Sequence, residues 1–347
     1  MINKHILSMM LLLCSSCTFA QKKYEVGLIG FYNLENLFDT IDGPNNDADF
    51  LPNGSYHYTG EVYLDKLNKL SDVISQIGIE ESPEGLSMIG VAEIENRSVL
   101  EDLVKNPKLK DRHYKIIHYD SPDERGIDVG LLYNPRYFSS KGSEKLFVNL
   151  SQEGDTASRK TRDVLYVWGD YKGEAIHVFV NHWPSRRGGE EASAPGRAKA
   201  ALVCKLKIDS ILQASPKAKI FLMGDLNDDP TSPSVAKVLG AKGDLKKVND
   251  SDLYNPWMDF YLNGIGTLAY NDAWNLFDQI IISEELTDSK QKGVFFKRAV
   301  IFNKPFMSQQ TGRYKGYPKR TFDFNNYIGG YSDHFPTYLV LYKAISN

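Results

Sequence analysis

Thiols are nearly absent from this chain: its 347 residues hold three cysteines, and two of them, Cys14 and Cys17, stand within the first twenty positions. Cys204 is alone in the remainder, so no internal disulfide can staple the fold and its stability must come from a core. Beyond residue 20 no apolar run is long enough to cross a bilayer. Repeats, low-complexity tracts and a Pro/Gly/Ser-rich linker are also missing, which argues for one domain. Charge imbalance is small: 41 Lys and Arg face 44 Asp and Glu, a formal charge of −3. That excludes a protein gripping nucleic acid through its net field, so any polyanion has to be held locally.

What is present begins with "MINKHILSMMLLLCSSCTFA", where one early lysine precedes an apolar stretch and then small residues up to Ala20. Residues 1–20 read as a secretory signal cleaved after Ala20, which predicts export to the periplasm or the medium. Lipid anchoring through Cys17 competes and ranks second, because Cys14 stands where that signal normally has an aliphatic residue. Residues 21–347 form the folded domain, with 42% hydrophobic and 24% charged residues, enough for a large core. No stable protein partner is evident, and a monomer is expected.

Short runs rich in Val, Ile, Tyr and Phe recur and end in polar residues: "EVGLIGFYN", "SMIGVAEIEN", "YKIIHYD", "DVGLLYNP", "VLYVWGDY", "AIHVFVNHWPS", "AKIFLMGDLND", "FDQIIIS" and "TYLVLYK". These predict strands. Helical spacing puts Leu64, Leu67, Leu70, Ile74 and Ile77 on one face, and a second helix is predicted over residues 197–213. Many strands and few helices predict an α/β fold of mixed sheets with helices outside. Residues 40–60 read as a solvated polar loop, since their acids do not match calcium-loop spacing.

Chemistry-bearing residues collect where strands meet loops: Asn33 and Glu35, Glu93, Asn181 and His182, Asp225 and Asn227, Asp278, and Asp333 with His334. Each alone has a bland reading, such as a turn former, a strand acid or a structural histidine. Gathered together, the carboxylates would repel one another unless a cation sat among them. Oxygen ligands without a cysteine or multi-histidine cluster select a hard ion, Mg²⁺ or Mn²⁺, over zinc.

The motifs "NLE", the Glu of "VAEIEN", "NHWPS", "GDLND", "FDQIIIS" and "YSDHFP", in that order, resemble the endonuclease/exonuclease/phosphatase superfamily from about residue 25 to 343. The resemblance implies a four-layered α/β sandwich, two mixed sheets packed face to face and flanked by helices, that cleaves phosphoesters with a metal. It makes 21–347 a catalytic domain, with Glu93 the main metal ligand and Glu35 and Asp333 completing the metal environment. It has Asp225 deprotonate the attacking water, His334 bind the phosphoryl oxygen and Asp278 orient His334. Asn33 and Asn227 hold phosphate or water, Asn227 being counted with the catalytic set. His182 falls where the DNase I and sphingomyelinase branches carry a histidine and the AP endonucleases a tyrosine. Asn181, beside His182, is expected to bind phosphate. Arg186 and Arg187, in the charged loop that follows, either close over substrate or lie in a solvated connection. Arg125 and Asp128 resemble a family element supporting the site, or simply pair with each other.

Two loops mix aromatics with polar residues: residues 254–274, and residues 313–331 with Arg313, Lys315, Lys319 and Arg320. Interleaved base and aromatic residues either stack nucleobases and hold phosphates or pack the loops onto the sandwich edge. The first functional reading is an exported nuclease on DNA or RNA. The alternative is a phosphatase or phosphodiesterase on a small or lipid phosphoester. A non-catalytic binding module on the same scaffold stands against the intact set of acids, asparagines and histidines.

Overall fold

The computed structural model describes residues 23–151, 160–291 and 293–345; the predicted signal segment with Cys14 and Cys17 lies outside them. The first large sheet contains β1 (Tyr24–Leu37), β2 (Met88–Ile94), β3 (Lys115–His118), β4 (Asp128–Tyr133), β14 (Val294–Ile301) and β17 (Thr337–Ala344). Its order is β14-β17-β1-β2-β4-β3. The second holds β5 (Phe138–Leu146), β6 (Val164–Tyr171), β7 (Glu174–His182), β8 (Lys219–Asp225), β9 (Ala241–Lys242), β10 (Leu253–Tyr254) and β13 (Asp278–Ser283). It runs β5-β6-β7-β8-β13-β10-β9. Two hairpins stand apart: β11 (Leu268–Tyr270) with β12 (Ala273–Asn275), and β15 (Phe322–Asp323) with β16 (Asn326–Tyr327). Both sheets are mixed, since β1 with β2 and β7 with β8 pair parallel while the flanking pairs are antiparallel.

Burial explains why the central strands read as continuous apolar runs. β8 and β13 are buried at every position, as strands covered on both faces must be. The sheets meet through a core that joins Leu28, Val91 and Leu131 to Val178, Phe221 and Ile280. Their approach is close at Gly90 of β2, where a Cβ would come within 2.5 Å of Met223 Sδ and 3.0 Å of Val180. Helix α1 (Gly60–Gln76), N-capped by Thr59, and α2 (Arg97–Lys105), N-capped by Asn96, pack on the first sheet. Helix α3 (Glu190–Ala214) covers the second with Cys204, Ile208 and Leu212 against Phe179, Ile220 and Leu222. The expected layered α/β architecture is present. A short α4 (Met258–Leu262) lies in the loop after β10.

Three local expectations are corrected. Leu64 is 60% exposed, and Tyr63 with Lys66, Leu67, Leu70 and Ile74 faces inward instead. The charged stretch after His182 is mostly helix, since α3 starts at Glu190 rather than near Arg197. Residues 40–60 are a loop that is solvated only in part: Phe50 stacks on Phe38 at 4.2 Å and on Tyr56 at 4.9 Å, and Tyr58 is buried. Aromatic stacking, invisible to an acid-spacing test, packs this segment against the sandwich.

Candidate active site

Asp225, at the end of β8, has His182 of β7 and Asp278 of β13 as its partners on either side. On the facing sheet, Asn33 of β1 pairs with Ala92, one residue before Glu93 of β2. The Ser332 hydroxyl donates to the Asn33 carbonyl at 2.8 Å and accepts from the His334 amide at 3.1 Å, tying the last segment to the first. Bulges aim the two glutamates. Register slips between Asn33 and Leu37 and between Ala92 and Ile94, and in those slips Glu35 and Glu93 take φ of 49° and 58°. Asn227 also has a left-handed φ of 49°. Such backbone costs on the order of 1–3 kcal/mol per residue and persists only where neighbours enforce it. Here the Glu35 amide donates to Asn33 Oδ1 at 2.9 Å, the Asn36 amide to Glu93 Oε2 at 3.0 Å, and the Asn227 amide to Asp225 Oδ1 at 2.9 Å.

Asp225 is buried, and its second oxygen accepts from Asn33 Nδ2 at 3.0 Å. Burial pushes its pKa up to about 6, helped by Asp278 and Glu93 and opposed by His334 and the Asn227 amide. His334 Nδ1 meets Asp278 Oδ2 at 2.7 Å, and Thr267 Oγ1 donates to the same oxygen at 2.5 Å. Burial disfavours charge on that ring, but Asp278, then Asp225 and Asp333, hold its pKa well above the ordinary value. The resulting imidazolium places Nε2 3.8 Å from both Asp225 and Asp333. His182 is the opposite case: burial, with Arg162, Arg125 and His334, holds it well below the ordinary value. Its Nε2 lies 3.6 Å from Asp225 and 3.7 Å from Glu93. One carboxylate thus stands between a charged and a neutral imidazole, which separates proton acceptor from donor.

A sequence profile of the Endonuclease/Exonuclease/phosphatase family matches residues 28–343, a span that contains every one of these side chains. The chain belongs to this family. Family members hydrolyse phosphoesters with a divalent metal, and this protein is a phosphoester hydrolase. Solved structures of the same fold include a family protein from Bacteroides thetaiotaomicron, 15% identical over 94% of this chain and 98% of that one, TM-score 0.55. A mannosyl-6-phosphatase of the same organism is 16% identical over 91% and 99%, TM-score 0.54. D. rerio TDP2, solved with a single-strand DNA product, is 13% identical over 91% and 98%, TM-score 0.53. Among curated proteins no sequence matches.

For a protein of this family the carboxylate cluster is the place for a cation. Burial and then Asp333 push Glu35 up to about 7, against the pull of Lys66, the Thr321 amide and Arg320. His334 and Arg320 instead hold Asp333 below its ordinary value despite its burial, and an all-oxygen donor set fits a hard divalent ion. Glu35, Glu93 and Asp333 are the residues that would hold it. Two groups among the described residues bring three ligand atoms within 4.8 Å of one another, Asp225–Asp278–His334 and His118–Asp120–Asp128. The expected metal residues form no such closed trio, and an ion held there would need water or substrate oxygens beside them.

The structure gives several of the expected residues protein partners of their own. Asn181 faces the scaffold, donating to the Met223 carbonyl and accepting from Trp183 Nε1 and Cys204 Sγ, so it is not placed to hold phosphate. Arg186 donates to the Asn227 carbonyl at 2.9 Å and to Asp228 and Asp229, stacked 4.5 Å over Phe277, and it shapes the turn rather than meeting substrate. Asn33 has its amide committed to Asp225 and its oxygen to Glu35. Asn227 donates to the Trp183 carbonyl at 3.0 Å. Arg187 is exposed. Arg125 lies 3.9 Å from Glu93, whereas Asp128 takes His118 at 2.9 Å and the Ser121 amide, so the two do not pair. Sequence reasoning missed Lys66, Thr321 and Arg162, and saw Arg320 only as one of several loop cations. Buried Lys66 donates to Thr321 Oγ1 at 2.6 Å, and Thr321 donates from both amide and hydroxyl to Glu35 Oε2. Arg320 donates to Asp333 at 2.9 Å, and Arg162 holds the His182 and Trp183 carbonyls. None stands at the end of an apolar run, the signal that found the others.

Proposed function

We propose that this phosphoester hydrolase is an exported, divalent-metal-dependent phosphodiesterase that cleaves strands of DNA or RNA. The observation that carries the reading is Asp225, fixed by Asn33 and the Asn227 amide, with the Nε2 atoms of His182 and of the Asp278-bound His334 3.6 and 3.8 Å away. Asp225 takes the proton of the attacking water as its oxygen bonds to phosphorus, the bond to the ester oxygen breaks, and that leaving oxygen takes up a proton from solvent. His334 Nε2 donates to a phosphoryl oxygen, its charge sustained by Asp278, and the neutral His182 hydrogen-bonds without storing a proton. A Mg²⁺ or Mn²⁺ ion bound at Glu35, Glu93 and Asp333 would supply charge neutralisation of the phosphate.

A strand substrate is supported by the rim, where Arg125, Arg187, Arg313 and Arg320 are exposed and the β11–β12 hairpin carries Trp274 against Tyr317 and Phe335. The fold shared with a TDP2 that was solved with a DNA product adds to this reading. The fold shared with a mannosyl-6-phosphatase favours a second one, a phosphatase on a small ester. Plasmid DNA, single-stranded DNA, RNA, bis-p-nitrophenyl phosphate, sphingomyelin and sugar phosphates, each with Mg²⁺, Mn²⁺ or EDTA, separate the two. Turnover of phosphomonoesters alone would overturn the phosphodiesterase, and activity that survives EDTA would overturn the metal.

A further inference from the structure

The β15–β16 hairpin has both feet in the carboxylate cluster. On its entering side Arg320 pairs with Asp333 and Thr321 clamps Glu35; on its returning side the chain runs through Ser332 and Asp333 into His334. Aromatic packing makes it rigid. Phe322 meets Tyr56 at 4.9 Å and Tyr327 at 5.5 Å, and the Tyr327 hydroxyl reaches Asp65 of α1 while Lys69 lies 5.6 Å from its ring.

Phe324 stands at the tip of this mount in a state that neither burial nor backbone preference explains. Its φ is 50°, a left-handed conformation that penalises a Cβ and suits glycine or asparagine. It is 86% exposed, the most of any large hydrophobic side chain described. Its sequence neighbours Asp323, Asn325 and Asn326 are polar, and Tyr327, the other exposed ring of the hairpin, is turned to Asp65 and Lys69. A lone, rigidly mounted ring offers its face to another ring. Phe324 is four residues from Arg320, no more than about 14 Å of extended chain, so a substrate that extends beyond its reacting phosphate can reach the ring.

We propose that Phe324 is a specificity residue, a stacking platform for a nucleobase flanking the scissile phosphate of a nucleic-acid strand. This rests on the phosphodiesterase reading and adds to it where the strand runs. The test uses labelled single-stranded oligonucleotide, read by fluorescence anisotropy in Mg²⁺ in an Asp225→Asn background, and bis-p-nitrophenyl phosphate turnover in the otherwise unaltered enzyme. Phe324→Ala is expected to weaken oligonucleotide binding about 5- to 150-fold, the weight of one base–aromatic stack, while Phe324→Trp retains it. Neither changes turnover of the small ester. Phe324→Asn, which suits the left-handed backbone, is expected to raise the melting temperature while losing the same binding. Equal oligonucleotide binding with and without Phe324, binding by neither, a parallel loss on the small ester, or a defect seen only on sphingomyelin vesicles overturns the platform. Equal binding beside intact small-ester turnover leaves the phosphodiesterase standing. Platform-dependent binding with no diester turnover does the reverse.

Discussion

At Asp225, three independent segments converge on one side chain, and its two oxygens are each held by a donor. Asp225→Asn keeps the size and changes the charge, so kcat should fall by about 10² to 10⁴ while the melting temperature holds or rises. Burial sets the sign of the pH dependence. A carboxyl raised to about 6 is protonated below that pH and cannot accept a proton, so kcat/KM in the metal-loaded enzyme should fall as pH drops through its acid limb. A flat profile from pH 5 to 8 would remove Asp225 as the base. Glu93→Gln tests the cation directly: titration calorimetry should show Mg²⁺ binding weakened, and EDTA should abolish wild-type turnover. Most of these residues were legible because a polar group closing an apolar run is unusual. Their roles were less so, since Asn181 and His182 are adjacent in sequence yet point to opposite faces of β7, the first into the scaffold and the second into the site.

Among the elements, the turn after β8 shows how a stretch of negative charge is stabilised. Asp228 meets the Nε of buried Arg197 on α3 at 2.7 Å and the Ser234 hydroxyl at 2.5 Å, and Asp229 caps the Leu276 amide at 2.8 Å. Arg197→Met removes one partner of a buried pair, for which a loss of about 3–5 kcal/mol is usual. Arg186 and Ser234 still hold Asp228, so the lower end of that range is expected in urea denaturation. Apolar runs and helical period exposed the central strands and the two long helices, but not β5, β14 or the short strands of the hairpins. What they concealed was mutual: Leu64 fits the period as well as Tyr63 does, and only the sheet beneath α1 selects the tyrosine. Lys66 carries no signal of its burial in the sequence, because its partner Thr321 comes from 255 residues further along the chain.

Across the whole molecule, two sheets carry half of the site each, so catalysis depends on how they face one another. Gly90 sits in that interface, and Gly90→Val would force atoms into space that Met223 and Val180 occupy. A loss of about 1–3 kcal/mol is expected from overpacking, read as a lower denaturation midpoint. Among the described residues no helix is long and apolar enough to cross a membrane. The sequence by itself determined the mixed α/β fold, the strand-end acids and histidines, and the family, because strand periodicity and the order of short motifs are local properties of a chain. The tertiary structure alone decided which polar groups are spent on one another. Arg186 was given to a turn, Asn181 to the scaffold and Thr321 to Glu35, and the pKa values of two histidines were moved in opposite directions, because burial and hydrogen-bond partners come from segments far apart in sequence.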